Sequence, residues 1–351
     1  MDRKRLLIYT IIAAVLAVLI YLQFRTWRNF DWPTFWSEWR TIDPLRIVFA
    51  IVLIYVSYYL RALRWKIFLN RVRRNVSSAS LVAPTMIGFT GLALLGRPGE
   101  LIRPYLISLR TELSFSYQMA VWTVERIFDI GAFTALLTLA IFLPATALHS
   151  IPEYRGVRIF GLLFIALAAG VSFGAVLVSK YGESLSTWIE RRFSPEVGAR
   201  VSHRVRDFHR GLDTIQSPLA FLQLCAVSLV MWGCIAGAYL EVVRSYGTSL
   251  EELSLSKVFP IMGSSMVGSL IQLPGVGGGS QLGTISALQH IFNVSHELAA
   301  NCGILLWLAT FVSVVPVGLV LARFEQLSLR KLSQESQHAE DAEPIPPNMQ
   351  R

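Results

Sequence analysis

Gly96-Arg97-Pro98-Gly99-Glu100-Leu101-Ile102-Arg103-Pro104-Tyr105 interrupts an otherwise apolar region that runs from Ala79 to about Ser116. Pro98 suits the first turn of a helix, where its missing N–H costs nothing. Gly99 lets the backbone pack closely. Neither the stretch before the break nor the one after it is comfortably long enough for about 30 Å of hydrocarbon. Broken backbone is tolerated at membrane depth only where protein or a water-filled cavity satisfies its polar groups. The pattern therefore predicts a hairpin that dips into a bilayer and turns back.

The regions around this break justify assuming a bilayer. Hydrophobic residues make up 53% of the 351, charged residues 16%, and mean hydropathy is +0.50. Soluble domains carry about 25% charged residues, so this chain has too little polar surface to coat a globule of its size. The apolar content also excludes a disordered or collagen-like chain, and three cysteines are too few for a disulfide scaffold. Leu6 to Phe24 is an apolar run of 19 residues behind Met1-Asp2-Arg3-Lys4-Arg5, with no small-residue cleavage pattern after it, and reads as a retained anchor. Leu45 to Leu60, Met119 to Leu143, Val157 to Val178, Leu219 to Leu240 and Leu298 to Leu321 complete six expected spans. A second broken region, Val258 to about Asn293, is interrupted at Pro274-Gly275-Val276-Gly277-Gly278-Gly279. The fold class expected is an all-α polytopic integral membrane protein with about six full transmembrane helices and two re-entrant hairpins.

Basic residues test the topology. With the amino terminus inside, segments 1–5, 61–78, 179–218 and 322–351 face the cytoplasm and hold 20 of the 32 Lys and Arg. Segments 25–46, 144–158 and 241–257 face outward and hold eight. That bias follows the positive-inside rule provided each broken region enters and leaves on one side. The net charge of +9 then reads as orientation and attraction to anionic headgroups. The basic residues are split among loops without a nucleic-acid motif, so no nucleic-acid partner is expected. Trp32, Phe35, Trp36 and Trp39 fall at i, i+3, i+4 and i+7 and predict a short helix lying in the outer interface.

The order span, span, broken hairpin, span occurs twice, in residues 6–143 and again in 157–321. Each half would cross three times, so the two halves are expected to be inverted, with their glycine-proline tips approaching each other. Helices broken at matching places in inverted halves point to a transporter's binding site. The domain expected is residues 1–322, followed by a polar tail, 323–351, disordered from about Ser333.

Several charges stand where apolar residues are expected. Arg97, Glu100 and Arg103 lie at steps of three, and one carboxylate against two guanidiniums leaves a positive charge. Arginine's planar fork suits phosphate or carboxylate, so an anion-headgroup site is expected ahead of a surface turn with an ordinary ion pair, with Glu100 beside Arg103 on one helix face. Glu125, Arg126 and Asp129 lie inside a span, where ionisable groups usually face the bundle interior. They are expected to pair with the Arg97/Arg103 cluster as a structural clamp or a functional relay. Gly275, Gly277 and Gly278 form a tip whose amides suit an anion, with Gln281 just after it. Ser264, Ser265, Ser269 and Gln272 add polar lining or helix-packing positions. This tip is not a P-loop, because no strand precedes it and the lysine is absent. Cys225, Cys234 and Cys302 show no metal spacing and the six histidines are scattered, so no metal, cofactor or catalytic site is expected. Residues 179–218 read as an amphipathic cytoplasmic helix pair.

With Gly96-Arg97-Pro98-Gly99-Glu100 and Arg103, Glu125-Arg126 and Asp129, and Pro274-Gly275-x-Gly277, the chain resembles the lysylphosphatidylglycerol synthase transmembrane-region family over most of residues 6–322. The resemblance implies a flippase-like module of the inner (plasma) membrane that moves a lipid headgroup between leaflets. Aminoacylated phosphatidylglycerol or a polyprenyl-phosphate sugar would be its cargo, both termini would be cytoplasmic, and a separate lipid-modifying enzyme would be a partner. Two departures are evident. Gln281 stands where the family often has a glutamate, and the resemblance covers no aminoacyl-transferase domain. Lysyl-lipid synthesis by this polypeptide alone is therefore not expected. The rival reading is a membrane-embedded transferase acting on polyprenyl phosphate or phospholipid.

Overall fold

The protein is described by a computed structural model at residues 31–70, 72, 76–142, 154–192, 217–250, 253–270, 272–273 and 277–325. The anchor expected at Leu6 to Phe24 and the tail from 326 lie outside these residues. Asp31 starts the first helix, α1 (Trp32–Arg40): its carboxylate accepts from the Thr34 hydroxyl at 2.6 Å and the Thr34 amide at 3.2 Å. Those two donors hold the Asp31 carboxyl below the usual carboxylate range. The short helix forms as expected from the sequence, but its aromatic stripe is split: Phe35 is buried with Trp39 packed beside it, while Trp32 and Trp36 stay exposed. The Phe35 carbonyl accepts from Asn301, and Asn301 in turn accepts from Tyr246.

Long apolar helices follow. They are α2 (Pro44–Leu69), α3 (Ser78–Leu95), α5 (Phe115–Phe142), α6 (Tyr154–Arg192) and α7 (Pro218–Arg244). The last long rod, His296 to Phe324, is α10 (His296–Trp307), a π-turn at Leu308–Val312 and α11 (Val314–Phe324). Five of these segments, Pro44–Leu69, Ser78–Leu95, Tyr154–Val171, Pro218–Arg244 and His296–Phe324, are long and apolar enough to cross a membrane. α5 has the length, 28 residues, but carries Glu125, Arg126 and Asp129 in its middle. Large apolar side chains such as Leu45, Phe49, Leu222 and Phe173 point outward along the helices, and ionic side chains are packed inside. That distribution suits a lipid solvent, in which apolar surface needs no shelter and backbone must be bonded within the helix. The chain is an all-α polytopic membrane protein, with one two-residue antiparallel ladder, Gln272↔Gly278 and Leu273↔Gly277, among the described residues.

Three boundaries differ from the sequence reading. The span expected to end at Leu60 continues to Leu69, because nothing between Arg61 and Leu69 breaks a helix. Arg61 and Arg64 are therefore inside the bundle and not in an inner loop. The span expected at Val157 to Val178 runs on to Arg192, so the first part of the inner loop is helix and the rest of it lies outside the described residues. The arm before the first break is α3, 18 residues and long enough by itself to cross. Pro84 inside it leaves an apolar helix that remains continuous to Leu95.

Both broken regions turn back on themselves. α3 stops at Gly96, whose φ is +71°, a conformation that glycine adopts without strain. A 3₁₀ turn, Arg97–Leu101, leads into α4 (Ile102–Thr111), which returns along α3. In the second hairpin α8 (Leu255–Gly268) and α9 (Gly279–Phe292) return on each other across the short ladder. Here Gly283 lies against the Ser264 backbone so closely that an added Cβ would meet its carbonyl. We expect Gly283→Val to prise α9 from α8, costing about 1–3 kcal/mol as overpacking does. A lower thermal midpoint in detergent than for Gly131→Val, at a glycine with open space around it, would show this.

The rest of the packing positions the site. α2 lies along α7 and against α3, α5 packs on α6 and α7, and α3 packs on α11. The π-turn widens the helix and frees carbonyls, a device frequent at functional positions. Tyr55 donates to the Ser313 carbonyl at 2.8 Å and Tyr58 to the Thr310 carbonyl at 3.2 Å.

Candidate functional site

Glu125 and Asp129 occupy one face of α5 a turn apart, and three helices aim guanidiniums at them. From α2, Arg64 bridges both: its Nη2 donates to Glu125 Oε1 at 2.6 Å and its Nη1 to Asp129 Oδ1 at 2.8 Å. The same Nη1 reaches Ser228 Oγ on α7 at 3.0 Å. From α4, Arg103 grips Glu125 with both terminal nitrogens, a bidentate pair. Its guanidinium also lies 4.3 Å from the centre of the Trp65 ring and 5.5 Å from that of Phe89. Arg61, one turn before Arg64, approaches Asp129 Oδ2 at 3.7 Å. Arg126 stands at 3.8 Å from Glu125 and 3.7 Å from Asp129, half-exposed beside Trp122. Trp232 adds an indole N–H to Asp129 Oδ1 at 3.2 Å.

Four guanidiniums surround two carboxylates, leaving two positive charges in the cluster. Glu125 and Arg64 are completely buried, and Arg103 and Asp129 nearly so. Charges leave water at a cost of several kcal/mol each, recovered only with close partners and good geometry. Arg64 and Arg103 have such partners. Arg61 does not: its Nε and Nη1 are buried without a hydrogen-bond partner among the described residues.

Two cavities flank the cluster, with the Phe89 ring lining both. The larger, about 120 Å³, is bounded by Arg61, Ser57, Tyr239 and Ser265 among mostly apolar neighbours. The smaller, about 30 Å³, is lined by Glu100, Arg103, Trp122 and Arg126.

The residues singled out in the sequence are placed differently. Arg103, Glu125, Arg126 and Asp129 come together as expected, although Arg103 alone of the Gly96 motif joins them. Glu100 does not pair with Arg103. Its carboxylate accepts from Arg97 at 2.6 Å, because the 3₁₀ turn brings those two together before α4 begins. Arg97 also donates to the Ser269 carbonyl at 2.6 Å, which ties the turn of the first hairpin to the end of α8 in the second. Gly278 donates its amide to Gln281 Oε1 at 3.0 Å, so this side chain caps its own helix. Gly277 sits in the ladder, and Gly275 lies outside the described residues. Ser265 and Ser269 do line the larger cavity. Sequence reasoning missed Arg61 and Arg64. The available signal was that Leu60 to Leu69 contains no glycine, proline or asparagine, so the helix had no reason to stop at the first arginine.

No solved structure matches this chain. Among curated proteins it is similar to a UPF0104 membrane protein of Methanothermobacter thermautotrophicus, 23% identical over 300 residues, covering 80% of this chain and 85% of that protein. It is also similar to the glycosyltransferase AglD of Haloferax volcanii, 30% identical over 138 residues, which are 39% of this chain and only 20% of that protein. The family model for the lysylphosphatidylglycerol synthase TM region matches residues 9–318, nearly the whole described bundle, and the chain belongs to that family.

Proposed function

We propose that this protein is a lipid transporter that moves a lipid with a polar or anionic headgroup between the leaflets of a plasma membrane. The observation that carries the reading is the unbalanced charge cluster. Four arginines held around two carboxylates inside an apolar bundle, with cavities on both sides, favour a passing anion. Buried ionisable residues in spanning bundles commonly mark such pathways. The two helical hairpins support it as well. α3/α4 and α8/α9 are joined at Arg97 and Ser269, and in our reading they belong to inverted halves, residues 6–143 and 157–321, that rock against each other.

The test is leaflet exchange of fluorescent phosphatidylglycerol in vesicles reconstituted with the full chain. Exchange well above that of empty vesicles is expected, and equal rates would end the proposal. Arg97→Ala removes the contact between the hairpins, and we expect exchange to fall about tenfold. A hydrogen bond from a charged donor contributes about 1.5–3 kcal/mol, enough for that change.

The second reading is a membrane-embedded transferase acting on polyprenyl phosphate, favoured by the name of the haloarchaeal relative over the matched segment. Lipid extracts of cells with and without the protein discriminate. A transferase changes which lipids are present, whereas a transporter changes only their sidedness.

A further inference from the structure

We infer that the cavity in front of Arg61 is a binding site for a phosphate ester carried on an apolar chain. This deepens the transport reading and rests on it for the lipid source of the ester. The site has an arginine with an ion-pair partner but no hydrogen bond among the described residues. Arg61 is 8% exposed and lines the cavity, although its Nε and Nη1 are themselves enclosed and Nη1 is turned toward Asp129. Its nearest carboxylate oxygen, Asp129 Oδ2 at 3.7 Å, is beyond hydrogen-bond distance and is shared with Arg126. The Phe89 ring lies 4.9 Å from the guanidinium carbon and holds the head in place.

Among the described residues no acidic side chain lines this cavity, and the competing carboxylate, Asp129, stands 3.7 Å from Arg61 outside its wall. On the other side Ser265 accepts from Tyr239 at 3.2 Å, which leaves its own hydroxyl hydrogen available. A tetrahedral phosphate can accept from Arg61 and Ser265 at once, because its oxygens point in several directions. A planar carboxylate held by Arg61 turns both oxygens to one wall. The volume, about 120 Å³, is well above what a single water needs and gives room for a phosphate group and the first atoms of its ester. Ile54, Ile235, Met262 and Met266 supply the apolar remainder of the lining. Free phosphate would have to desolvate against these side chains without gain, whereas an alkyl ester buries its chain on them.

The experiment titrates the full chain, purified in a neutral maltoside detergent, with dodecyl phosphate and separately with inorganic phosphate, following the thermal midpoint. Wild type is expected to be stabilised by dodecyl phosphate, with inorganic phosphate at least tenfold weaker. Arg61→Gln is expected to weaken dodecyl phosphate binding at least tenfold, while Arg46→Gln, which removes a half-exposed arginine elsewhere, leaves it unchanged. Ser265→Ala leaves the charge cluster untouched, so it serves even where Arg61→Gln does not fold. A loss of about threefold to tenfold is expected from it. Wild-type affinity in both Arg61→Gln and Ser265→Ala would overturn the site. Inorganic phosphate binding as tightly as the dodecyl ester would overturn the lipid ester in favour of a free anion. Leaflet exchange run in parallel separates this inference from the reading beneath it. Arg61-dependent binding without exchange keeps the site and removes transport. Exchange with unaltered binding in both variants keeps transport and removes the site.

Discussion

Arg64→Met is expected to leave little folded protein in the membrane. The guanidinium is completely buried and holds Glu125 at 2.6 Å and Asp129 at 2.8 Å, with Ser228 as a third partner. Methionine fills much of the same volume, so the effect comes from two carboxylates losing their shared cation. Removing one member of a buried pair costs about 3–5 kcal/mol, because the remaining charge stays buried without compensation. Domain stabilities are about 5–15 kcal/mol, so that loss is a large fraction of the whole. The measurement is the yield of monodisperse protein after mild detergent extraction, with its thermal midpoint. Arg46→Met is the comparison: Arg46 pairs with Glu241 at 3.0 Å but is itself half-exposed, and a change below about 1 kcal/mol is expected there. Similar yields for the two variants would show that the cluster does not brace the bundle.

Glu125→Gln is the second large effect. This carboxylate receives Arg64 on Oε1 and both terminal nitrogens of Arg103, so it joins α2, α4 and α5 at one point. Glutamine keeps one acceptor oxygen but turns an N–H₂ toward a guanidinium, and the excess charge of the cluster rises from two to three. We expect a loss of about 3–5 kcal/mol, against less than about 1 kcal/mol for Glu100→Gln, whose partner Arg97 is exposed. The double variant Arg103→Gln/Glu125→Gln should be milder than the sum of the two singles, by a coupling of about 0.5–3 kcal/mol. Additive losses would mean that the bidentate pair contributes no interaction of its own.

The two arginines of the Gly96 motif show how far local reading reaches. Arg97 and Arg103 have similar sequence surroundings, each followed directly by proline, and both were expected at one headgroup site. The helix restarts at Ile102 after the 3₁₀ turn, and the rotation it sets carries Arg103 inward to Glu125 while Arg97 stays at the surface against Glu100. A change of helix type over five residues decides this, and composition does not reveal it. Arg61 and Arg64 failed to register for the opposite reason. Charges at the end of an apolar run usually mark a loop, and only the carboxylates waiting on α5 make it favourable to bury them.

The bilayer setting, the helical class and the two breaks were all readable from the order of residues. In hydrocarbon each backbone amide must be bonded within its own helix, so apolar length translates directly into helix, and proline-glycine clusters translate into interruption. Which charges meet could not be read in that way. Arg64 and Glu125 are 61 positions apart, and Arg97 and Ser269 are 172 apart. Their contacts depend on the rotation and depth at which separate helices pack, and those are set by close approaches such as Gly283 on Ser264 and α2 on α7. The same packing leaves Arg61 facing a cavity while its neighbour Arg64, one turn on, holds Glu125, Asp129 and Ser228 with its two terminal nitrogens, a difference that arises only when four helices come together.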